Sequence, residues 1–151
     1  MPQQPSPVLP NDAFFYRSLQ QGCARLQLNT GIISHVVGEQ YYVVESVGCD
    51  GAFKHGDVFP LNDTWCRTVI EQERTVALSG DSGLLAMQRH PLYQSLPLQA
   101  YISTIIRRHG IVWGTVNFSN LLQQHEAFNH ADIDYIEQLA QSLSQWLSLD
   151  D

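Results

Sequence analysis

The stretch AYISTIIRRHGIVWGTVNFS, residues 100–119, consists of two β-rich runs with a short break between them. The runs cover residues 101–108 and 111–119, and His109-Gly110 separates them. A glycine in a two-residue connection can adopt the positive φ that a tight hairpin turn requires. The stretch therefore predicts an antiparallel hairpin at the centre of the fold.

A two-residue turn determines which residues of the hairpin are paired. Arg108 then pairs with Ile111 and Ile102 with Asn117, and alternation along each strand sorts the side chains onto two faces. One face suits packing against helices: Tyr101, Ile105, Val112, Gly114, Val116 and Phe118. The other mixes apolar and polar side chains: Ile102, Thr104, Ile106, Trp113, Thr115 and Asn117. Because an unpaired buried polar atom costs about 1–3 kcal/mol, the second face predicts a small-molecule pocket; the alternative is a half-solvated face.

The composition limits the class of protein. The 151 residues are 44% hydrophobic and 15% charged, with a formal net charge of −7, which favours one globular domain and argues against a nucleic-acid partner. The apolar runs are far shorter than the roughly 20 residues of a membrane-spanning helix, and the N-terminus lacks a signal-peptide pattern. We expect a soluble, cytoplasmic protein without a membrane partner. The three cysteines are widely spaced and are expected to be reduced thiols.

Local patterns predict the remaining elements. Residues 1–11 are rich in proline and glutamine and predict a disordered tail, so a single domain is expected over residues 12–151. Two helices are indicated by an apolar stripe: one from Asp12, and one after Asn129, which can cap it. The other predicted elements are strands at 32–37, 41–47 and 75–79, a helix from Asn62 or Asp63 to Glu73, and a short helix within 84–93. This order predicts an α+β fold with an antiparallel sheet of about five to six strands and helices on its faces.

These residues resemble a GAF domain, the small-molecule sensor fold of cyclic-nucleotide phosphodiesterases, phytochromes and bacterial signalling enzymes. The resemblance rests on four pieces and their order: FKHGDVFPLNDTWCRTV at 53–69, HPLY at 90–93, the AYIS…GTVNFS hairpin, and Phe128 followed by Asp132. The first piece is similar to GAF domains that precede histidine kinases and diguanylate cyclases. The resemblance implies that the terminal helices pack on one sheet face, often as a dimer interface, and that a ligand binds on the other face under a helix and loops.

The resemblance and the hairpin together indicate where a ligand would bind. In related photoreceptor domains the strand position that matches Ser119 faces the chromophore, which by alternation brings Asn117, Thr115 and Trp113 to the same side. The helix that carries Trp65 and Cys66 would cover this side. The expected ligand-binding residues are Phe59, Trp65, Cys66, Thr104, Trp113, Thr115 and Asn117.

The chain departs from the known chemistries of the family. Cys66 is followed by Arg67 and no Cys-His pair occurs, so no covalent bilin is expected. The Lys and Glu of the cyclic-nucleotide signature are absent next to Asn117 and Asp132, which leaves cyclic-nucleotide binding unsupported. Free methionine sulfoxide reductase needs cysteines before the hairpin, and residues 78–98 contain none, so we do not expect an enzyme. No metal site is expected, since the histidines show no ligand spacing.

The predicted function is that of a freestanding sensor domain. It would bind an unidentified small molecule non-covalently and act, as a homodimer through its terminal helices, on a separate kinase or cyclase output protein. Two alternatives remain open. A ligand-free interaction module would fill the pocket with its own side chains, and a thiol-based redox sensor or reductase would use an exposed Cys66.

Overall fold

The computed structural model describes residues 10, 12–48, 53–64, 66–79, 98–121 and 127–149. Its elements, in chain order, are α1 (Ala13–Leu26), β1 (Thr30–Val37), β2 (Gln40–Val47), β3 (Val58–Pro60), a 3₁₀ turn (Leu61–Asp63), α2 (Arg67–Gln72), β4 (Val76–Ser79), β5 (Leu98–Arg108), β6 (Ile111–Leu121) and α3 (His130–Ser148). The predicted tail over residues 1–11 and the predicted helix within residues 84–93 lie outside the described residues, Pro10 apart.

The six strands form one sheet in the order β3-β2-β1-β6-β5-β4, and every adjacent pair is antiparallel. The predicted α+β fold with a five- to six-stranded antiparallel sheet is confirmed. Both predicted terminal helices are present. The Asp12 side chain accepts from the Phe14 amide at the start of α1, and Asn129, the predicted cap of α3, forms a capping box with Asp132. None of the helices in the described part of the chain is long and apolar enough to cross a membrane.

Two hydrophobic clusters lie on opposite faces of the sheet. The face covered by α1 and α3, called here the helix side, includes Phe15, Leu19, Ile33, Ile102, Ile106, Val116, Phe118, Ile136 and Leu143. The opposite face, called here the α2 side, includes Ile32, Tyr41, Val43, Leu61, Cys66 and Tyr101. Gly22 of α1 permits close contact on the helix side, since a Cβ there would lie 2.2 Å from the Phe118 ring. The terminal helices therefore share one core and α2 covers the other.

The pairing of the central hairpin differs from the prediction beyond its first two residue pairs. Arg108 pairs with Ile111 as predicted, but Ile106 pairs with Gly114 and Ile102 pairs with Phe118 rather than Asn117. Trp113 is the extra residue of a β-bulge in β6. Because one extra residue reverses the alternation, the predicted faces of β5 are wrong. Ile102, Thr104 and Ile106 share the face of Val116 and Phe118, whereas Tyr101 and Ile105 share the face of Thr115.

The helix predicted from Asn62 or Asp63 begins later than expected. The 3₁₀ turn ends at Asp63, Thr64 is extended (φ −114°, ψ 158°), and α2 begins at Arg67 with Cys66 as its N-terminal cap residue. Thr64 Oγ1 donates to the Leu61 carbonyl at 2.9 Å and accepts from the Cys66 amide at 3.3 Å. The Thr64 hydroxyl makes these hydrogen bonds in place of the backbone hydrogen bonds of a continuous helix. The 3₁₀ turn and α2 are therefore separate elements.

Candidate functional site

Seven polar side chains converge on the α2 side of the sheet. Strand alternation and the bulge place them there from β1, β2, β5 and β6, and the first residue before α2 completes the group. They are named here the Cys66 cluster: Ser34, Tyr41, Cys66, Tyr101, Ser103, Thr115 and Asn117. All seven are at most 4% exposed. Buried polar groups need partners, so the hydrogen bonds of this cluster determine what it can bind.

The Cys66 thiol lies at the centre of the cluster. Its Sγ is 3.2 Å from Tyr101 Oη, 3.3 Å from Thr115 Oγ1 and 3.5 Å from Asn117 Nδ2. The Thr115 hydroxyl and the Asn117 amide donate to the sulfur, and either atom of the Tyr101 pair can be the donor. Sulfur is a weak acceptor. Several strong donors therefore converge on a poor partner.

A chain of hydrogen bonds links β1 to the Cys66 thiol through β6. The Thr115 amide donates to Ser34 Oγ at 3.2 Å, and the Ser34 and Thr115 hydroxyls are 2.7 Å apart. Since Thr115 Oγ1 donates to Cys66 Sγ, the Ser34 hydroxyl is the donor to Thr115. A change at any of these three side chains therefore alters the hydrogen bonding of the other two.

The two tyrosines of the cluster remain protonated at neutral pH. Burial, and next the Cys66 thiol, raise the pKa of the Tyr41 phenol and that of the Tyr101 phenol well above their usual value. Asn117 Nδ2 donates to Tyr41 Oη at 3.4 Å. Both phenols thus provide neutral O–H groups inside the cluster.

Ser103 is the member of the cluster with an unmet hydrogen bond. Its residue is 0% exposed and pairs across the hairpin with Asn117, yet its Oγ has no hydrogen-bond partner among the described residues. A buried hydroxyl without a partner costs about 1–3 kcal/mol. The cluster therefore retains hydrogen-bonding capacity at Ser103.

An ion-pair pattern at the start of α2 holds Cys66 over the sheet. The Arg67 guanidinium donates to Glu39, in the turn between β1 and β2, and to Glu71 Oε1 at 2.7 Å. The Leu61 amide also donates to the Glu39 carbonyl at 2.8 Å. The β1–β2 turn is therefore tied both to the 3₁₀ turn and to α2.

The structure divides the predicted ligand-binding residues between the two faces. Cys66, Thr115 and Asn117 meet in the Cys66 cluster, and Phe59 packs against the apolar residues of the same side. Trp65 lies outside the described residues. The predicted placement of Thr104 and Trp113 on this face is wrong. The bulge reverses the face on which Thr104 of β5 lies, and Trp113 is itself the extra residue of the bulge. A ligand-binding role for Phe59, Trp65, Cys66, Thr115 and Asn117 stays a prediction.

The two misplaced residues have structural partners on the helix side. Thr104 Oγ1 is 2.8 Å from Thr75 Oγ1, and Thr75 donates to Glu137 of α3 at 2.5 Å. Trp113 belongs to the helix-side cluster and stacks on His35 with ring centroids 4.3 Å apart. His35 Nδ1 donates to the Trp113 carbonyl at 2.6 Å. Both side chains are therefore engaged away from the Cys66 cluster.

Four residues of the cluster are not among the expected ligand contacts: Ser34, Tyr41, Tyr101 and Ser103. Tyr101 was predicted on the helix side because the bulge was not anticipated. Pairing with the correct register brings Tyr101 opposite Ser119 and Ser103 opposite Asn117. Alternation along β5 shows that Tyr101, Ser103 and Ile105 share a face but not which face it is, so no signal within β5 could have found them.

Metal-binding side chains do not gather in the described part of the chain. No group of three or more His, Cys, Asp or Glu residues lies close enough there to hold a metal ion. The Cys66 cluster supplies one thiol and six hydroxyl, phenol or amide side chains. Its chemistry is that of a hydrogen-bonding site.

Comparison with known proteins agrees with this architecture. The sequence description of the GAF domain matches residues 11–147. The GAF domain of an Acinetobacter phosphoenolpyruvate-protein phosphotransferase is similar in structure, with a TM-score of 0.67 at 14% identity over 87% of this chain and 77% of that chain. The GAF domain of a Bacillus halodurans two-component sensor histidine kinase gives 0.65 at 14%, over 89% and 93%. The blue-light absorbing GAF domain of Thermosynechococcus elongatus PixJ gives 0.66 at 16%, over 91% and 84%.

At these identities the structural similarities show the fold alone. No curated protein matches the sequence. An antiparallel six-stranded sheet with its terminal helices on one face and a polar cluster covered by α2 on the other defines an α+β domain. The match over residues 11–147 is more specific: the chain belongs to the GAF domain family.

Proposed function

We propose that this domain is a sensor that binds a small molecule non-covalently at the Cys66 cluster. The observation that carries the proposal is the cluster itself, seven polar side chains at most 4% exposed, one of which lacks a hydrogen-bond partner. Ligand sites commonly combine apolar walls with a few converging polar groups, and the apolar residues of the α2 side surround this cluster. The proposed role is binding, not catalysis.

The proposed output is a change in how α1 and α3 pack, passed on through a homodimer to an output module such as a kinase or cyclase. The two helices contact each other through Phe14 and Trp146, whose rings stack with centroids 4.5 Å apart. Three large apolar side chains on these helices or directly after α3 are exposed: Tyr16 is 44%, Trp146 36% and Leu149 75% exposed. A ligand acts on such an equilibrium only through different affinities for its two states.

Native mass spectrometry of the freshly purified full chain, compared with the same sample denatured, tests this proposal. We expect a dimer that carries extra mass, and we expect the extra mass to be lost on denaturation. The matched variants are Thr115→Val, within the cluster, and Thr104→Val, on the opposite face: the first should lose the extra mass and the second should keep it. An unliganded monomer in the unmodified protein would contradict the proposal.

One observation favours a second candidate, a ligand-free interaction module. Thr115 hydrogen-bonds to both Cys66 and Ser34, so part of the α2 side is filled with the protein's own side chains. In that case, apolar substitution at Thr115 would change stability without changing any bound mass, whereas a ligand site would lose its ligand. The redox alternative is weakened by the burial of Cys66, which is 2% exposed. Rapid native labelling of its thiol would restore that alternative.

A further inference from the structure

The Cys66 cluster is polar but contains no carboxylate, ammonium, guanidinium or imidazole side chain. Its members are three hydroxyl residues, two phenols, an amide and a thiol, and burial keeps both phenols protonated at neutral pH. An ionised ligand buried here would find no opposite charge among the described members. Burying an unpaired charge is far more costly than burying a hydrogen-bonded neutral group.

The cation next to the cluster in sequence is already engaged. Arg67 donates to Glu39 and, at 2.7 Å, to Glu71 Oε1, and the two carboxylates balance its charge. An anionic ligand would have to compete with two carboxylates for this guanidinium. The local electrostatics therefore disfavour an anion.

The geometry of the donors indicates which neutral group fits. Thr115 Oγ1 and Asn117 Nδ2 donate to Cys66 Sγ at 3.3 and 3.5 Å, and Tyr101 Oη lies 3.2 Å from the same atom. A carbonyl oxygen or ring nitrogen is a better acceptor than sulfur for these donors. The unpartnered Ser103 hydroxyl, on the strand position opposite Asn117, can supply a further bond.

We propose that the site binds an uncharged small molecule whose hydrogen-bond acceptor replaces Cys66 Sγ as the partner of Tyr101, Thr115 and Asn117. This inference rests on the proposed function, because it assigns a ligand class to the same site. In the unliganded protein the Cys66 thiol accepts the hydrogen bonds of these donors. When the ligand binds, the thiol moves away together with the start of α2. No covalent bond is formed.

The first step of the test determines whether a ligand copurifies with the full chain. If native mass spectrometry shows bound mass, the molecule is extracted and its electrophoretic mobility is measured at pH 7. An uncharged molecule supports the inference. An anion or a cation overturns it, while the proposed function stands.

If the protein is empty, the probes are benzamide, benzoate and benzamidine, which share one shape and differ in charge. They are titrated into the ¹⁵N-labelled protein, with the Asn117 side-chain amide signals as the readout. We expect benzamide to shift these signals with an affinity at least tenfold higher than that of either charged probe. Equal or tighter binding of benzoate or benzamidine at the same signals overturns the inference alone. If the protein is empty and none of the probes shifts these signals, the inference and the proposed function both fail.

Variants at three positions determine whether the probe uses the proposed donors. Thr115→Val should weaken benzamide binding about tenfold, the effect expected for one lost hydrogen bond, and Thr104→Val should leave it unchanged. Cys66→Ala removes the competing sulfur and should strengthen binding. If Cys66→Ala does not fold, Cys66→Ser provides the second test: its hydroxyl is a better acceptor and should weaken binding. Equal affinities in all of these variants would contradict the proposed geometry.

Discussion

Thr104 and Thr115 lie on adjacent strands of one hairpin, yet their hydroxyl groups hydrogen-bond on opposite faces of the sheet. Thr104 Oγ1 is 2.8 Å from Thr75 on the helix side, and Thr115 Oγ1 is 2.7 Å from Ser34 on the α2 side. Both residues are at most 4% exposed. The two threonines therefore form a matched pair with which the two faces can be probed separately.

Replacement of Thr115 by Val should loosen α2 as well as destabilise the fold. The change leaves Ser34 without its hydroxyl partner and removes a donor to Cys66, which should cost about 1–3 kcal/mol in the free energy of unfolding. Thr104→Val should cost a similar amount or less, since Thr75 keeps its bond to Glu137. Urea unfolding measures both values.

The same two variants should differ in the reactivity of the Cys66 thiol. We expect native alkylation of Cys66, measured by mass spectrometry of its peptide, to be about tenfold faster in Thr115→Val. This value assumes that the free energy of one lost hydrogen bond lowers the free energy of local opening at α2. The rate should be unchanged in Thr104→Val. Equal acceleration in both variants would mean that Thr115 has no local role at α2.

Gly22 should be intolerant of a side chain because of Phe118. A Cβ at Gly22 would lie 2.2 Å from Phe118 Cζ, and this ring is 0% exposed and cannot move into solvent. Overpacking of this kind typically costs about 1–3 kcal/mol, so Gly22→Ala should lower the free energy of unfolding by about that amount. Urea denaturation measures the loss.

The matched double variant Gly22→Ala/Phe118→Leu tests the cause. If the clash is responsible, the smaller side chain relieves it, and the double variant loses less than the sum of the two single losses. Strictly additive losses would show that Gly22 is required for another reason.

The stability of the fold should contain a pH-dependent contribution from His35. Burial lowers the pKa of His35; the Trp113 carbonyl opposes this shift and the charge of Arg108 adds to it. As the pH falls through the usual histidine pKa near 6.5, the unfolded chain takes up the proton first. The contribution of neutral His35 to the free energy of unfolding is therefore complete above this pH and is lost as the pH falls below it.

The neutral variant His35→Gln isolates this contribution from the other histidines. Urea unfolding of both proteins between pH 8 and pH 5 should show that the unmodified protein loses more stability on acidification than the variant does. Parallel pH profiles would mean that His35 does not contribute.

The proposed dimer should depend on Trp146. Its ring stacks on Phe14 and is 36% exposed at the surface formed by the terminal helices. Trp146→Glu would place a charge in the interface and should convert the dimer to a monomer in analytical ultracentrifugation, with the circular dichroism of a folded domain retained. Ile111→Glu is the control, because Ile111 is 73% exposed at the tip of the central hairpin. Dissociation by both variants, or by neither, would contradict an interface at the terminal helices.

The elements that the sequence predicted well are those with local causes. The capping box of Asn129 and Asp132 is contained within four residues, and the His109-Gly110 turn needs only its own backbone. His109 and Gly110 both adopt positive φ, 53° and 78°, as such a turn requires. The strands around the hairpin followed from composition and alternation.

The errors arose where a distant strand or a side chain determines the local backbone. At Gly114, an added Cβ would lie 1.8 Å from the Ser34 carbonyl, which shows how closely β1 approaches β6. This close approach lies directly next to the irregular pairing at Trp113. No pattern within residues 111–119 reveals that contact. At Thr64, a side-chain hydroxyl competes with helical hydrogen bonds, and composition alone did not distinguish this outcome from a cap.

The bulge at Trp113 changes the pairing register by one residue between the two halves of the hairpin. Regular pairing of the same residues, without the bulge, would place Ile102 opposite Asn117, and β5 would then present Tyr101 and Ser103 to the terminal helices and Ile102 to α2. The one unpaired residue, Trp113, thus determines which core each side chain of β5 joins. When this hairpin is aligned with that of another protein, a gap at Trp113 decides which side of the sheet every paired residue belongs to.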